Sequence, residues 1–146
     1  MSQPDKATNS NWTLLFLCWL LVSVSTTISV FFSYVLEYEP CVLCWYQRIC
    51  LFPLIFIFAA GLFPVFDKSV IKYALPLTIA GGLTALYHTL LYAGIIPENI
   101  QPCSQGVSCT EKYIELFGFI SIPMMSFFAF SILTALLIIL KRRTNK

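Results

Sequence analysis

Charged side chains are scarce in this chain. Its 146 residues include 7 Asp or Glu, 9 Lys or Arg and 1 His, so 11% are charged against 58% hydrophobic. A soluble domain of this size needs more charge to cover its surface, and the composition excludes one. The formal net charge of +2 reflects where a few residues fall and not a basic surface, so no nucleic-acid partner is expected. Internal repeats and low-complexity segments are also missing. The first apolar stretch is long for a signal peptide and no small-x-small cleavage site follows it, so it is expected to remain in the chain.

What the chain does have is four long apolar stretches, roughly 12–36, 45–66, 71–96 and 117–140. Each reaches the ~20 residues a helix needs to cross a bilayer. The expected fold is an all-α integral membrane protein, a single four-transmembrane-helix bundle over residues 1–146 with external loops at 37–44 and 97–116. Residues 110–117 alternate charged and apolar side chains at helical spacing, which predicts a short interfacial helix lying flat on the membrane. Residues 1–11 are polar, contain Pro4 and read as disordered. The hydroxylated run Ser23, Ser25, Thr26, Thr27, Ser29 and Ser33 reads as a helix-packing face. Pro53, Pro76 and the Gly81-Gly82 pair read as sites of kinking or close helix contact.

The few charges orient the bundle. Lys6, Lys68, Lys72, Lys141, Arg142, Arg143 and Lys146 flank one side, whereas Glu37, Glu39, Glu98, Glu111 and Glu115 face only Lys112 on the other. Basic residues mark the cytoplasmic side, so both termini are expected inside and the acidic loops outside. Cys41, Cys44, Cys103 and Cys109 then fall on the extracytoplasmic face, where disulfides persist. Cys18 and Cys50 fall inside apolar spans and read as inert packing residues.

Cys41-Val-Leu-Cys44-Trp-Tyr-Gln-Arg48 carries the chemistry. The two thiols sit at a helix start, where unpaired N–H groups and the helix dipole favour a thiolate. Closing so short a loop removes little chain entropy, so the pair is better suited to redox exchange than to structural stapling. Arg48 follows along the same stripe, ~10 Å below Cys41, at a depth where charge is rare and usually functional. His88 lies ~12 Å below the same face if its helix runs to Ile96. A polar head group between Arg48 and His88 would meet a charge on one side and a proton carrier on the other. Cys103 and Cys109, in a loop long enough for Cys109 to reach Cys41, make a second pair with which the first can exchange. A scaffold with structural disulfides, or with zinc on four external thiolates, is the competing reading. The Arg48 charge argues against that metal, and none is expected.

With these features the sequence resembles the DsbB/BdbC family of membrane thiol–quinone oxidoreductases. The eight-residue motif carries most of the resemblance, supported by Tyr87-His88-Thr89-Leu90-Leu91 and by Ser121-Ile-Pro-Met. The resemblance implies a protein of the bacterial inner membrane that reoxidises a DsbA-like, thioredoxin-fold dithiol oxidase. The electrons would pass to a membrane quinone, ubiquinone or menaquinone. It implies Cys44 as the cysteine that engages the quinone, Cys41 as its partner, and Arg48 and His88 as quinone-binding residues. It further implies that the reduced oxidase attacks Cys103 while Cys109 exchanges with Cys41. The spacing of Cys103 and Cys109 is shorter than in the best-known DsbB branch.

Overall fold

The structure, a computed structural model, describes residues 3–37, 39–97, 115–116 and 120–145. It contains α1 (Gln3–Tyr34), α2 (Val42–Leu62), α3 (Ser69–Tyr92), β1 (Glu115–Leu116), β2 (Ile120–Ser121) and α4 (Ile122–Thr144). All four helices are long and apolar enough to cross a membrane. The shortest, α2 with 21 residues, still spans ~31 Å at 1.5 Å per residue. The protein is a multi-pass membrane protein built on a four-helix bundle.

The helices pack in a ring, α1 against α2 and α4, and α3 against the same two. Short connections between α1, α2 and α3 make neighbours antiparallel. At one end Trp12 Nε1 donates to the Leu62 carbonyl (3.4 Å) and Arg143 Nη1 to Ser10 Oγ (2.9 Å). This is the end that carries Lys68, Lys72 and the Lys141–Arg143 cluster. Cys41 and the end of α3 lie at the opposite end. Toward the basic end the core is apolar, with Leu15, Cys18, Leu54, Phe58, Leu133 and Leu137 all fully buried. Apolar side chains also point outward, among them Phe56 (75% exposed) and Leu83 (62%). In a bilayer these meet acyl chains, so close packing and not burial from water holds the helices together. Gly81 shows how close: a Cβ there would collide with the Phe130 ring on α4.

Several element ends depart from the sequence reading. Helix α1 begins at Gln3, so residues 3–11 are helical and not disordered; Pro4 falls in the first turn, where its missing N–H leaves no bond unmade. Helix α3 stops at Tyr92 instead of continuing to Ile96. Gly94, at φ 73°, turns the chain, with Gly94 N–H bonded to the Leu91 carbonyl and Ile95 N–H to the Leu90 carbonyl (both 3.1 Å). This is a Schellman stop, which glycine allows at no steric cost. Glu37, also left-handed at φ 53°, turns the chain out of α1. Helix α4 starts at Ile122 with Pro123 in its first turn, later than the apolar run suggested. Of the predicted interfacial helix, residues 110–114 and 117 lie outside the described residues. Glu115 and Leu116 form a strand instead, antiparallel to β2 in the register Glu115↔Ser121 and Leu116↔Ile120. Helices α2 and α3 run on through Pro53 and Pro76.

Candidate functional site

Pro40 and the turn at Glu37 deliver Cys41 to the N-cap position of α2 in an extended conformation (φ −67°, ψ 169°). In that position a side-chain acceptor satisfies an amide left unpaired at the helix start. Here the acceptor is sulfur: Cys41 Sγ takes the Cys44 N–H at 3.4 Å. The same geometry brings Cys44 Sγ to 3.0 Å from Cys41 Sγ. The spacing Cys-x-x-Cys thus places both sulfurs on one turn of the helix. Leu43, Leu91, Val42 and Tyr87 pack around the pair and shield it on one side.

His88 arrives from α3. Its Nε2 lies 3.8 Å from Cys41 Sγ, and its Nδ1 lies 3.2 Å from the Gln47 side-chain nitrogen. His88 and Gln47 are both buried, 3% and 6% exposed. Because α3 ends at Tyr92, His88 lies ~6 Å, one turn, inside the helix end and not the ~12 Å expected from a helix reaching Ile96. With the Gln47 amide donating to Nδ1, the ring proton sits on Nε2 and faces Cys41. The Cys41 thiol, just outside the α2 span, is held below the ordinary thiol range. The hydrogen bond from Cys44 is the largest cause, and His88 adds to it against the opposing effect of burial.

Arg48 reaches across to α1. Its Nε donates to Ser29 Oγ (2.9 Å), and its Nη2 donates to the Ser29 carbonyl (2.9 Å) and to Ser33 Oγ (2.5 Å). Ser29 and Ser33 are four residues apart and share one helix face. These two serines are therefore not simply packing residues, as the sequence reading had them; they fix a charge. The guanidinium also lies 5.5 Å from the centre of the Trp45 ring, within cation–π range. Thr27, in the same run, bonds back to the Ser23 carbonyl of its own helix (2.9 Å).

Arg48, Cys41, Cys44, Gln47 and His88 open onto one cavity of about 330 Å³ between the four helices. Its remaining wall is largely apolar, with Leu21, Ile28, Phe32, Leu51, Met125 and Phe130 prominent. A space of this size, mostly apolar with a few convergent polar groups, suits a small-molecule site, for which ~300–1,000 Å³ is usual. Of the six predicted site residues, the structure brings Cys41, Cys44, Arg48 and His88 together. Cys103 and Cys109 lie outside the described residues. Cys18 is buried and Cys50 half-buried, and neither lines this cavity. Sequence reasoning missed Gln47, although an amide one turn from Cys44 within an apolar span was a signal, since buried polar groups find partners.

A four-helix membrane bundle with a dithiol at the mouth of its second helix, opening onto a cavity between the helices, defines a class of redox-type membrane proteins. The family model described as "Disulfide bond formation protein DsbB" matches residues 10–140, and the chain belongs to that family. It is 48% identical over 144 residues to a "Probable disulfide formation protein" of Metapseudomonas resinovorans, covering 98% of this chain and 97% of the relative. It is 42% identical to "Probable disulfide formation protein C 2" of Bacillus cereus (89% and 92% covered). To "Disulfide bond formation protein C" of Bacillus subtilis it is 36% identical (87% and 91% covered). No solved structure matches the chain. Family membership gives the protein a role in disulfide-bond formation and an oxidoreductase activity.

Proposed function

We propose that this protein is a thiol–quinone oxidoreductase of the bacterial cytoplasmic membrane. It reoxidises a DsbA-like, thioredoxin-fold dithiol oxidase outside the cytoplasm and passes the electrons to ubiquinone or menaquinone. The observation that carries the reading is the shared cavity: the Cys41–Cys44 pair and the Arg48 charge open onto one apolar space that reaches into the bundle. The lining fits a quinone. The Nη1 end of the guanidinium has no partner among the described residues, which leaves donors for a carbonyl oxygen, while the apolar wall accepts a ring and the start of a tail. When bound, the quinone supplies the oxidising power for two electrons.

The chain's own residues do the rest. Ser29, Ser33 and Trp45 hold the guanidinium at the cavity wall, so its charge needs no reorganisation during the reaction. Cys41 and Cys44 lose two electrons and two protons as their S–S bond forms, and His88 Nε2 is placed to exchange a proton with Cys41. The new disulfide then oxidises Cys103 and Cys109 by thiolate exchange, and that pair oxidises the partner. Both termini are inside, and the acidic, cysteine-bearing end faces out.

The test supplies the purified protein with reduced partner and quinone. Quinone reduction that vanishes in Cys44→Ala is expected; no reduction, or reduction that persists without Cys44, defeats the proposal. The competing reading, a non-enzymatic scaffold with structural disulfides or zinc, requires the thiol state to ignore added quinone.

A further inference from the structure

Three soft donors meet at the mouth of the cavity. Cys41 Sγ, Cys44 Sγ and His88 Nε2 all lie within 4.8 Å of one another, and all three residues are buried or half-buried. Two sulfurs and one imidazole are a familiar donor set for zinc, with Zn–S of ~2.3 Å and Zn–N of ~2.0 Å in a tetrahedron. At the tetrahedral angle those bond lengths place a sulfur and the nitrogen ~3.5 Å apart and two sulfurs ~3.8 Å apart. The 3.8 Å from Cys41 Sγ to His88 Nε2 is close to the first of these. The sulfurs, now 3.0 Å apart, open by ~0.8 Å through side-chain rotation to take the ion. We propose that the reduced Cys41–Cys44 pair and His88 form a zinc site that exists only in the dithiol state. Because the three donors line the cavity, the fourth position opens onto it and takes water.

Two further features favour the metal. A ligating histidine is held by a partner on its other ring nitrogen, and Gln47 already meets His88 Nδ1 at 3.2 Å. Rotating the Gln47 amide by a half turn presents its oxygen, which moves the ring proton to Nδ1 and gives Nε2 the lone pair a metal takes. The charge also closes. Two thiolates neutralise one Zn²⁺, and Arg48 is turned onto Ser29 and Ser33, so the bound ion adds no net charge beside it. Both donors bind as thiolates, so binding releases whatever proton each sulfur still carries. Oxidation to the disulfide removes both thiolate donors, so zinc and disulfide formation exclude each other, and zinc acts as a brake on the reduced enzyme.

The site needs the dithiol but not the quinone, so its test reads metal and not activity. Full-length protein carrying Cys103→Ser and Cys109→Ser, which removes the loop thiols, is reduced in detergent and titrated with Co²⁺. One Co²⁺ per chain is expected, with thiolate-to-cobalt charge-transfer absorption and the strong visible bands of tetrahedral cobalt, all displaced by Zn²⁺. The same protein oxidised should bind none, a control that needs no mutation at the site. His88→Gln and Gln47→Leu should each weaken Co²⁺ binding by roughly 10–100-fold. Equal binding by oxidised protein, a six-coordinate spectrum, or unchanged affinity in His88→Gln would overturn the proposal.

Discussion

The two ends of this bundle are built to different rules. Toward the basic end the helices close on an apolar core in which Leu54, Phe58, Leu133 and Leu137 are fully buried in one cluster. Toward the cysteine end the same helices part around a cavity, and polar side chains bridge them: Arg48 from α2 to α1, Gln47 from α2 to α3. In lipid, packing density is what keeps helices together, so the first region bears the stability. The second gives up packing to hold a charge, an imidazole and two thiols in fixed relation. Stability and chemistry are divided along the membrane normal, not between domains.

That division can be broken from either side. Phe58→Ala empties a fully buried site and should destabilise the bundle by ~3–5 kcal/mol, seen as a lower unfolding temperature in detergent. Its apparent quinone affinity, measured below that temperature, should stay near wild type. A large change in quinone affinity would show that the two ends are not separate. Arg48→Ala should do the reverse. It removes charged hydrogen bonds worth ~1.5–3 kcal/mol, so apparent quinone affinity should fall by about 10–100-fold. The disulfides should still form, as non-reducing electrophoresis would show; unchanged quinone affinity would remove the head group from Arg48.

The smallest effect concerns pH. The Cys41 thiol is held low chiefly by Cys44, so its thiolate persists as pH falls below the range in which an ordinary thiol protonates. In reduced protein, Cys41 should therefore keep reacting with iodoacetamide at mildly acidic pH, and Cys44→Ala, which removes the donor, should move that reactivity back toward ordinary thiol values. A Cys41 labelling profile that is ordinary in both proteins would contradict the hydrogen-bonded arrangement.

Much of this was legible in the sequence because it depends on local spacing. Apolar length gave four helices, and Cys-x-x-Cys with Arg48 gave a stripe on one of them. What escaped depends on how helices are rotated against each other. No feature of Ser29 or Ser33 distinguishes them from Ser25 until α1 is turned toward Arg48, and Gln47 needs α3 in place to meet His88. The helix ends escaped for another reason. Hydropathy continues past Tyr92 into Ile95 and Ile96, and only the Gly94 turn shows where hydrogen bonding stops.

That turn has a consequence for proton supply. By ending α3 one helical turn above His88, it sets the imidazole only ~6 Å from the end of its helix. A proton moving between Cys41 and solvent thus has a short path on the side where the cysteines lie. Electrons drawn from the dithiol would travel inward along the cavity, while protons travel the other way, so the two products of one oxidation would leave the sulfurs by opposite doors.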